Sequence, residues 1–262
     1  MTGIIGVAGC GRMGSGMLAN LRKAGLNARG YDVRPVAGVG NDPDRFADGL
    51  QTLLTVVRDA EETDAVLFGE QGFISRATGL RRIVVCSTLS PRYVRGLRDR
   101  VPDRIALVDA PMSGAQIGAE SGTLTFMTGG DTTGLEPLFS AMGQAHHHMG
   151  DFSAGMTAKV LNNLLAASHT AMTRLVLDWA DAAGMDERRL LDLIASASGQ
   201  NWLASGFETI EFARDGYDAD NSIGILVKDV AAALDIAPEG DDALPRGVQE
   251  ALRHLSPRPR PS

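Results

Sequence analysis

Positive charge is in short supply in this chain. Against 32 Asp and Glu the 262 residues hold 25 Lys and Arg, leaving a net charge of −7. A nucleic-acid backbone requires a concentrated positive field, so the balance excludes DNA or RNA as an expected partner. A small anion needs only a local positive site and stays open. Cysteine is nearly absent. Cys10 and Cys86 have no metal-ligand spacing and do not make a disulfide framework, which fits a reducing compartment. No apolar run reaches the ~18–20 residues that a membrane span needs. The opening Ile4-Ile5-Gly6-Val7 is apolar but short, lacks a basic lead and runs straight into glycines, so it reads as a strand rather than a secretory leader. A cytoplasmic protein without membrane contact is expected.

What is present divides the chain in two. Hydrophobic residues make up 44%, enough for a packed core. In the first half short apolar runs alternate with helical stretches. Ile4–Val7, Ala28–Asp32, Leu53–Val57, Ile83–Cys86, Ile105–Val108 and Thr123–Thr128 read as strands, and Met13–Lys23 as a helix ending near Gly25. That alternation predicts an α/β fold with a doubly wound parallel sheet covered on both faces. From Ser153 to about Ala183 there is no proline and apolar residues are dense, which predicts one long helix packed on several sides and linking two domains. Helices at Asp186–Ala197, Ser205–Arg214 and Ile223–Leu234 should follow. The expected organisation is a nucleotide-binding domain over 1–152, an all-helical domain over 153–252 for substrate and dimerisation, and a loose Pro-Arg tail over 253–262.

Gly9-Cys10-Gly11-Arg12-Met13-Gly14 is a G-x-G-x-x-G that follows a strand, opens a helix and precedes an acidic residue, Asp32, at the end of the next strand. Gly9 makes the tight turn, Gly11 admits the diphosphate to the backbone, and Gly14 lets the helix pack on the strand. The helix N-terminus offers N–H groups to the phosphates. Asp32 accepts from the adenosine ribose and repels a 2′-phosphate, which favours NAD over NADP; Arg34 two residues on could instead pair with that phosphate. Cys10 sits at a helix N-terminus, a setting that lowers a thiol pKa. His146-His147-His148 point to alternate faces if they lie on a strand and do not converge on one ion, so no metal is expected. Trp202 and Phe207 read as helical core.

Further segments carry a family resemblance. The run from Gly6 to Leu21, with its Met13-Gly14 pair and Ala19-Asn20-Leu21 end, resembles the opening of the β-hydroxyacid dehydrogenases. Cys86-Ser87-Thr88-Leu89-Ser90-Pro91 is similar to their Ser-Thr segment beside the nicotinamide. Asp109-Ala110-Pro111-Met112-Ser113-Gly114, continuing to Gly130, resembles the substrate stretch, and Gly150 to Asn163 the catalytic stretch. Lys228-Asp229 matches a late Lys-Asp pair.

The resemblance spans residues 4 to about 235 and implies a Rossmann domain, a long connecting helix and an all-helical second domain. It makes Lys159 the acid/base group in oxidation of a short 3-hydroxy acid, such as 3-hydroxyisobutyrate, or reduction of the matching semialdehyde. Desolvation, Lys228 and the cationic nicotinamide would bring the lysine pKa toward the working range. Asn163, four residues on, shares its helix face and would hold the substrate with Ser113, Gly114 and Lys228. Gly9, Cys10, Gly11, Arg12, Met13, Gly14, Asp32, Val57, Thr88 and Lys228 would bind the cofactor. A homodimer or homotetramer is expected. The competing implications are a non-catalytic dinucleotide-binding scaffold of the same fold and an imine reductase; Lys159 speaks against both.

The chain also departs from the family's pattern. Ala115 stands where a second glycine is common, Ser153 replaces a glycine, and the stretch between Val36 and Gln51 is short.

Overall fold

The computed structural model describes residues 3–260. Two compact units divide it, Met1–Lys159 and Val160–Ser262. The first unit opens with β1 (Ile4–Ala8), α1 (Arg12–Lys23), β2 (Ala28–Tyr31), α2 (Pro43–Ala47), β3 (Leu50–Thr55), α3 (Ala60–Leu67) and α4 (Phe73–Arg76). It continues through β4 (Arg82–Val85), α5 (Pro91–Arg100), β5 (Ala106–Asp109), β6 (Met112–Ser113), α6 (Ala115–Ser121), β7 (Leu124–Gly130), α7 (Glu136–Met142) and β8 (Gly143–Gly150).

The strands form one sheet in the order β2-β1-β3-β4-β5-β7-β6, with β8 paired to β7. From β2 to β5 every pairing is parallel. Beyond β5 the sheet is mixed. β7 runs antiparallel to β5 and β6, because β6 and α6 turn the chain back before β7 begins. The period-2 rule sorts the strand residues into two cores. Leu53, Ile83 and Val85 join Tyr31, Phe46 and Phe73 on one face. Leu54, Val84 and Cys86 join Ile5, Val7, Met17 and Phe126 on the other. Both faces are therefore dry, as a doubly wound sheet requires.

The third strand starts earlier than the apolar run suggested, at Leu50, which pairs with Ile4. Val56 and Val57 lie past its end and enter the loop. Between β2 and β3 the short stretch holds only α2, and the sheet continues beyond β2 by a single bridge, Tyr31 to Gly40.

Helix α8 (Ala154–Ala182) passes from the first unit into the second. It has 29 residues, about 43 Å at 1.5 Å each. The second unit adds α9 (Glu187–Ser196), α10 (Trp202–Ser205), α11 (Ser222–Leu234) and α12 (Ala243–Arg253). Ala167 and Ala171 of α8 pack with Ile223, Val227, Val230 and Leu252, and Leu177 packs with Leu191, Leu203 and Phe207.

Three expectations fail in this unit. First, α8 is packed along one side only. Leu161, Leu165, Met172, Leu175 and Trp179 are exposed, at spacings of 4, 7, 3 and 4 residues that keep them on one stripe. Second, the expected helix over Ser205–Arg214 is absent: α10 ends at Ser205, Gly206 caps it, and successive turns carry the chain to Arg214. Trp202 is exposed rather than core, while Phe207 is buried. Third, the Pro-Arg segment is no loose tail through residue 260. Arg258 is buried, its backbone N–H donates to Arg214 O at 2.7 Å, and its guanidinium meets Asp178, Asp181 and Glu187. The acidic partners lie 71 to 80 residues earlier, out of reach of a local reading. Residues 261 and 262 lie outside the described residues.

Ala115 and Ser153, the two positions where glycine was expected, have φ of 53° and 81°. Both sit in the left-handed region, where an L side chain costs roughly 1–2 kcal/mol. The departures from glycine thus fall where the backbone favours glycine.

Candidate active site

The glycine loop links β1 to α1, and its geometry explains each glycine. Gly9 has a φ of +93°, and a Cβ there would approach Val56 O to 2.3 Å. A Cβ on Gly14 would come within 2.0 Å of Gly9 O, so helix and turn touch backbone to backbone. At Gly11 the nearest atom to such a Cβ is Arg34 Nη2 at 3.5 Å, which leaves space for a diphosphate. The first turn of α1 carries no side-chain cap, so its N–H groups suit anionic oxygens. These features fit a dinucleotide. Arg12 is exposed at this turn, and Met13 packs half-buried against the core.

Asp32 follows β2 and is buried. Its Oδ2 accepts from the Cys10 N–H at 2.9 Å, and its Oδ1 from the Arg34 N–H at 2.9 Å and Nε at 3.2 Å. Burial alone would raise its pKa; the bonds from Arg34 and Cys10 outweigh it and hold the carboxyl below its ordinary value. Through these bonds the Asp32 carboxylate fastens the glycine loop to the end of β2. Cys10 is corrected here. Burial pushes its thiol up to about 11, and its Sγ–H donates to Val7 O, so the helix-terminus effect is overridden and the thiol is not activated.

Val57, Thr88 and Ser113 stand just past or at the ends of β3, β4 and β6. Val57 follows β3, with Cγ1 placed 2.9 Å from a would-be Gly9 Cβ. Its N–H donates to Ser87 Oγ at 2.9 Å, which ties this loop to the one after β4 that holds Thr88. Leu89 N–H, next in that loop, meets Met156 Sδ at 3.3 Å in the first turn of α8. Lys159 stands one turn further on α8, with 6% of its surface exposed. Ser113 ends β6, and Gly114 follows with a φ of +132° that a side chain would resist.

In the second unit, Asn163 is buried and its Nδ2 donates to Asp229 Oδ2 at 2.5 Å. Lys228 is half exposed, with Nζ 4.0 Å from Asp229 Oδ1. Asp229 thus connects the two residues assigned to substrate, and the sequence reading gave it no role although it quoted the Lys-Asp pair. Ser87 was passed over in the same way beside Thr88. The histidines lie on β8; His146 stacks on Phe139 at 5.6 Å. Among the described residues no group of three or more His, Cys, Asp or Glu is placed to hold a metal ion, and no helix is long and apolar enough to cross a membrane.

Comparison with known proteins matches two families. The NAD binding domain of 6-phosphogluconate dehydrogenase covers residues 4–150. The NAD-binding domain of NADP-dependent 3-hydroxyisobutyrate dehydrogenase covers 153–253. The chain is 29% identical to a 3-hydroxyisobutyrate dehydrogenase of Pseudomonas aeruginosa, over 93% of this chain and 88% of the relative. It is 30% identical to an NAD-dependent L-serine dehydrogenase of the same organism, with the same two shares. The solved 3-hydroxyisobutyrate dehydrogenase of Mycobacterium tuberculosis, determined with L-serine, shares the fold at a TM-score of 0.80 and 23% identity, over 98% of this chain and 97% of that one.

Proposed function

From the premise that this chain belongs to the β-hydroxyacid dehydrogenase family, we propose that it exchanges a hydride between NAD and a short 3-hydroxy acid, 3-hydroxyisobutyrate or one like it, or the matching semialdehyde. The observation that carries this reading is Lys159. A lysine on an ordinary helix face keeps its ammonium in water. This one is buried, one turn beyond a helix start that is fastened to the loop after β4 and to the end of β5.

Bound at the glycine loop, NAD supplies the hydride acceptor. Lys159 takes the hydroxyl proton as the alcohol becomes a carbonyl, and returns it in the reverse direction. Ser113 and the Gly114 N–H hold the substrate carboxylate. Asn163, whose amide is already oriented by Asp229, and Lys228 complete the substrate contacts. Gly9 to Gly14, Asp32, Val57 and Thr88 would hold the cofactor, and Lys228 would add a positive charge for it.

Purified protein, screened by NADH fluorescence against a panel of 3-hydroxy acids with NAD and with NADP, should turn over at least one acid with NAD. Cofactor binding without turnover of any panel member would return the chain to the non-catalytic scaffold. Asp32→Asn should raise the ratio of kcat/KM for NADP over NAD by about tenfold or more, since it removes a charge-assisted contact and a repulsive charge together. A wild type that already prefers NADP would overturn the role given to Asp32.

The reading extends to a cytoplasmic homodimer or homotetramer. The exposed stripe of Leu161, Leu165, Met172, Leu175 and Trp179 supports self-association, as an apolar helix face of that length is costly in water. Light scattering that returned the monomer mass at micromolar concentration would rule the oligomer out.

A further inference from the structure

Asp109 closes β5, and its carboxylate is used at a distance. The residue is fully buried; Oδ1 accepts from the Ser153 N–H at 2.7 Å and Oδ2 from the Met156 N–H at 2.5 Å. These donors open α8, 44 and 47 residues further along the chain. A helix usually takes its first cap from the residue before it, held in an extended conformation. Ser153 occupies that place with a φ of 81°, outside the extended region. Asp109 supplies the acceptors instead.

The same turn is fixed from two other sides. Met156 Sδ receives the Leu89 N–H beside Thr88. Gly155 lies so close to β7 that a Cβ on it would reach Met127 O at 2.4 Å, and a Cβ on Gly129 would reach Asp109 Oδ1 at 2.4 Å. Lys159 stands three residues past Met156, on the next turn of the helix so gripped.

We infer that Asp109 is a positioning residue that, through the first turn of α8, sets where the Lys159 amine meets the substrate hydroxyl; this rests on the dehydrogenase reading above. Burial raises the Asp109 carboxyl above its ordinary value despite the backbone N–H donors, so keeping it charged at neutral pH costs folding free energy.

The test is Asp109→Asn in the full chain, using the panel acid that wild type turns over fastest. Three readouts are taken: kcat and KM, the stoichiometry and affinity of NADH by fluorescence titration, and amide exchange over residues 153–156. The expected result is a kcat lowered at least tenfold, a KM for the acid within about twofold of wild type, one NADH bound per chain at unchanged affinity, and at least tenfold faster exchange confined to the start of α8. Should the amide variant not accumulate, Asp109→Glu keeps the charge and both acceptors but displaces the turn by one methylene, and the same kinetic split is expected. A kcat within twofold of wild type would overturn the inference. So would a lost kcat that merely tracks lost NADH stoichiometry, because that reports fewer folded molecules. If wild type turns over no acid, the dehydrogenase reading fails first, while NADH titration and exchange still report whether Asp109 caps α8.

Discussion

Lys159→Ala is expected to lower kcat by roughly 10²–10⁴-fold, the usual worth of a positioned acid/base group, while NADH affinity stays within twofold of wild type. The separation follows from where the residues lie. The cradle proposed for the diphosphate is formed by Gly9, Gly11, Gly14 and the uncapped start of α1, whereas Lys159 belongs to α8. Removing the amine leaves that cradle intact and takes away the proton acceptor. Because Lys159 is buried, truncation also opens a small void, so Lys159→Met, which keeps the apolar stem, is the companion variant and should be equally inert. Steady-state kinetics and NADH titration on both variants decide the matter. A Lys159→Met enzyme with more than about a tenth of wild-type kcat would end the acid/base assignment, given the range for such groups.

The second large effect concerns stability. Arg258→Ala should destabilise the helical unit by about 3 kcal/mol, the lower end of the cost of breaking a buried ion pair, because Glu187 keeps Arg214 as a partner. Arg258 and Glu187 have side chains only 7% and 5% exposed and meet at 2.5 Å. Glu187 also receives Arg214 Nη2 at 2.7 Å, and Arg258 reaches Asp178 and Asp181 on α8. Behind them the buried Arg174 donates to the carbonyls of Ala213, Asp215 and Ser256, so two arginines hold the Pro-Arg segment against α8. For a unit of this size the loss corresponds to a fall of roughly 10–20 °C in its melting transition.

The pH dependence carries a definite sign. Burial would raise Glu187, but Arg214 and Arg258 outweigh it and hold its carboxyl below the ordinary glutamate range. Its stabilisation is therefore full above the unfolded pKa and lost as pH falls through the lower folded value. Removing Arg258 should bring acid unfolding in at higher pH. Scanning calorimetry from neutral to about pH 2.5 checks both effects, and a variant melting within 2 °C of wild type would show the cluster to be ornamental.

Much of the fold was legible because its signals are local. The glycine loop, the apolar runs of β1, β2, β4 and β5, and the proline-free stretch of α8 each carry their pattern within a few neighbours. What escaped depends on partners distant in sequence. Arg258 read as a loose tail because Asp178, Asp181 and Glu187 lie on other helices. Asp109 read only as part of a substrate stretch because its donors follow three further strands and two helices. The effect of the helix terminus on the Cys10 thiol was visible in sequence, whereas the burial that outweighs it was not. At the candidate site, Lys159, Ser113 and Thr88 came from motif resemblance, whereas Ser87 and Asp229, which orient their neighbours, emerged only from geometry.

The backbone at Ala115 and Ser153 has a bearing on how this sequence can drift. Valine, isoleucine or threonine at either place would collide with its own main chain and force the approach to Ser113, or the entrance to α8, into another shape. Naturally arising variants at these two codons should therefore be confined to glycine, asparagine, aspartate and the smallest side chains, while the exposed Gln116 and Ile117 just beyond remain open to wide exchange.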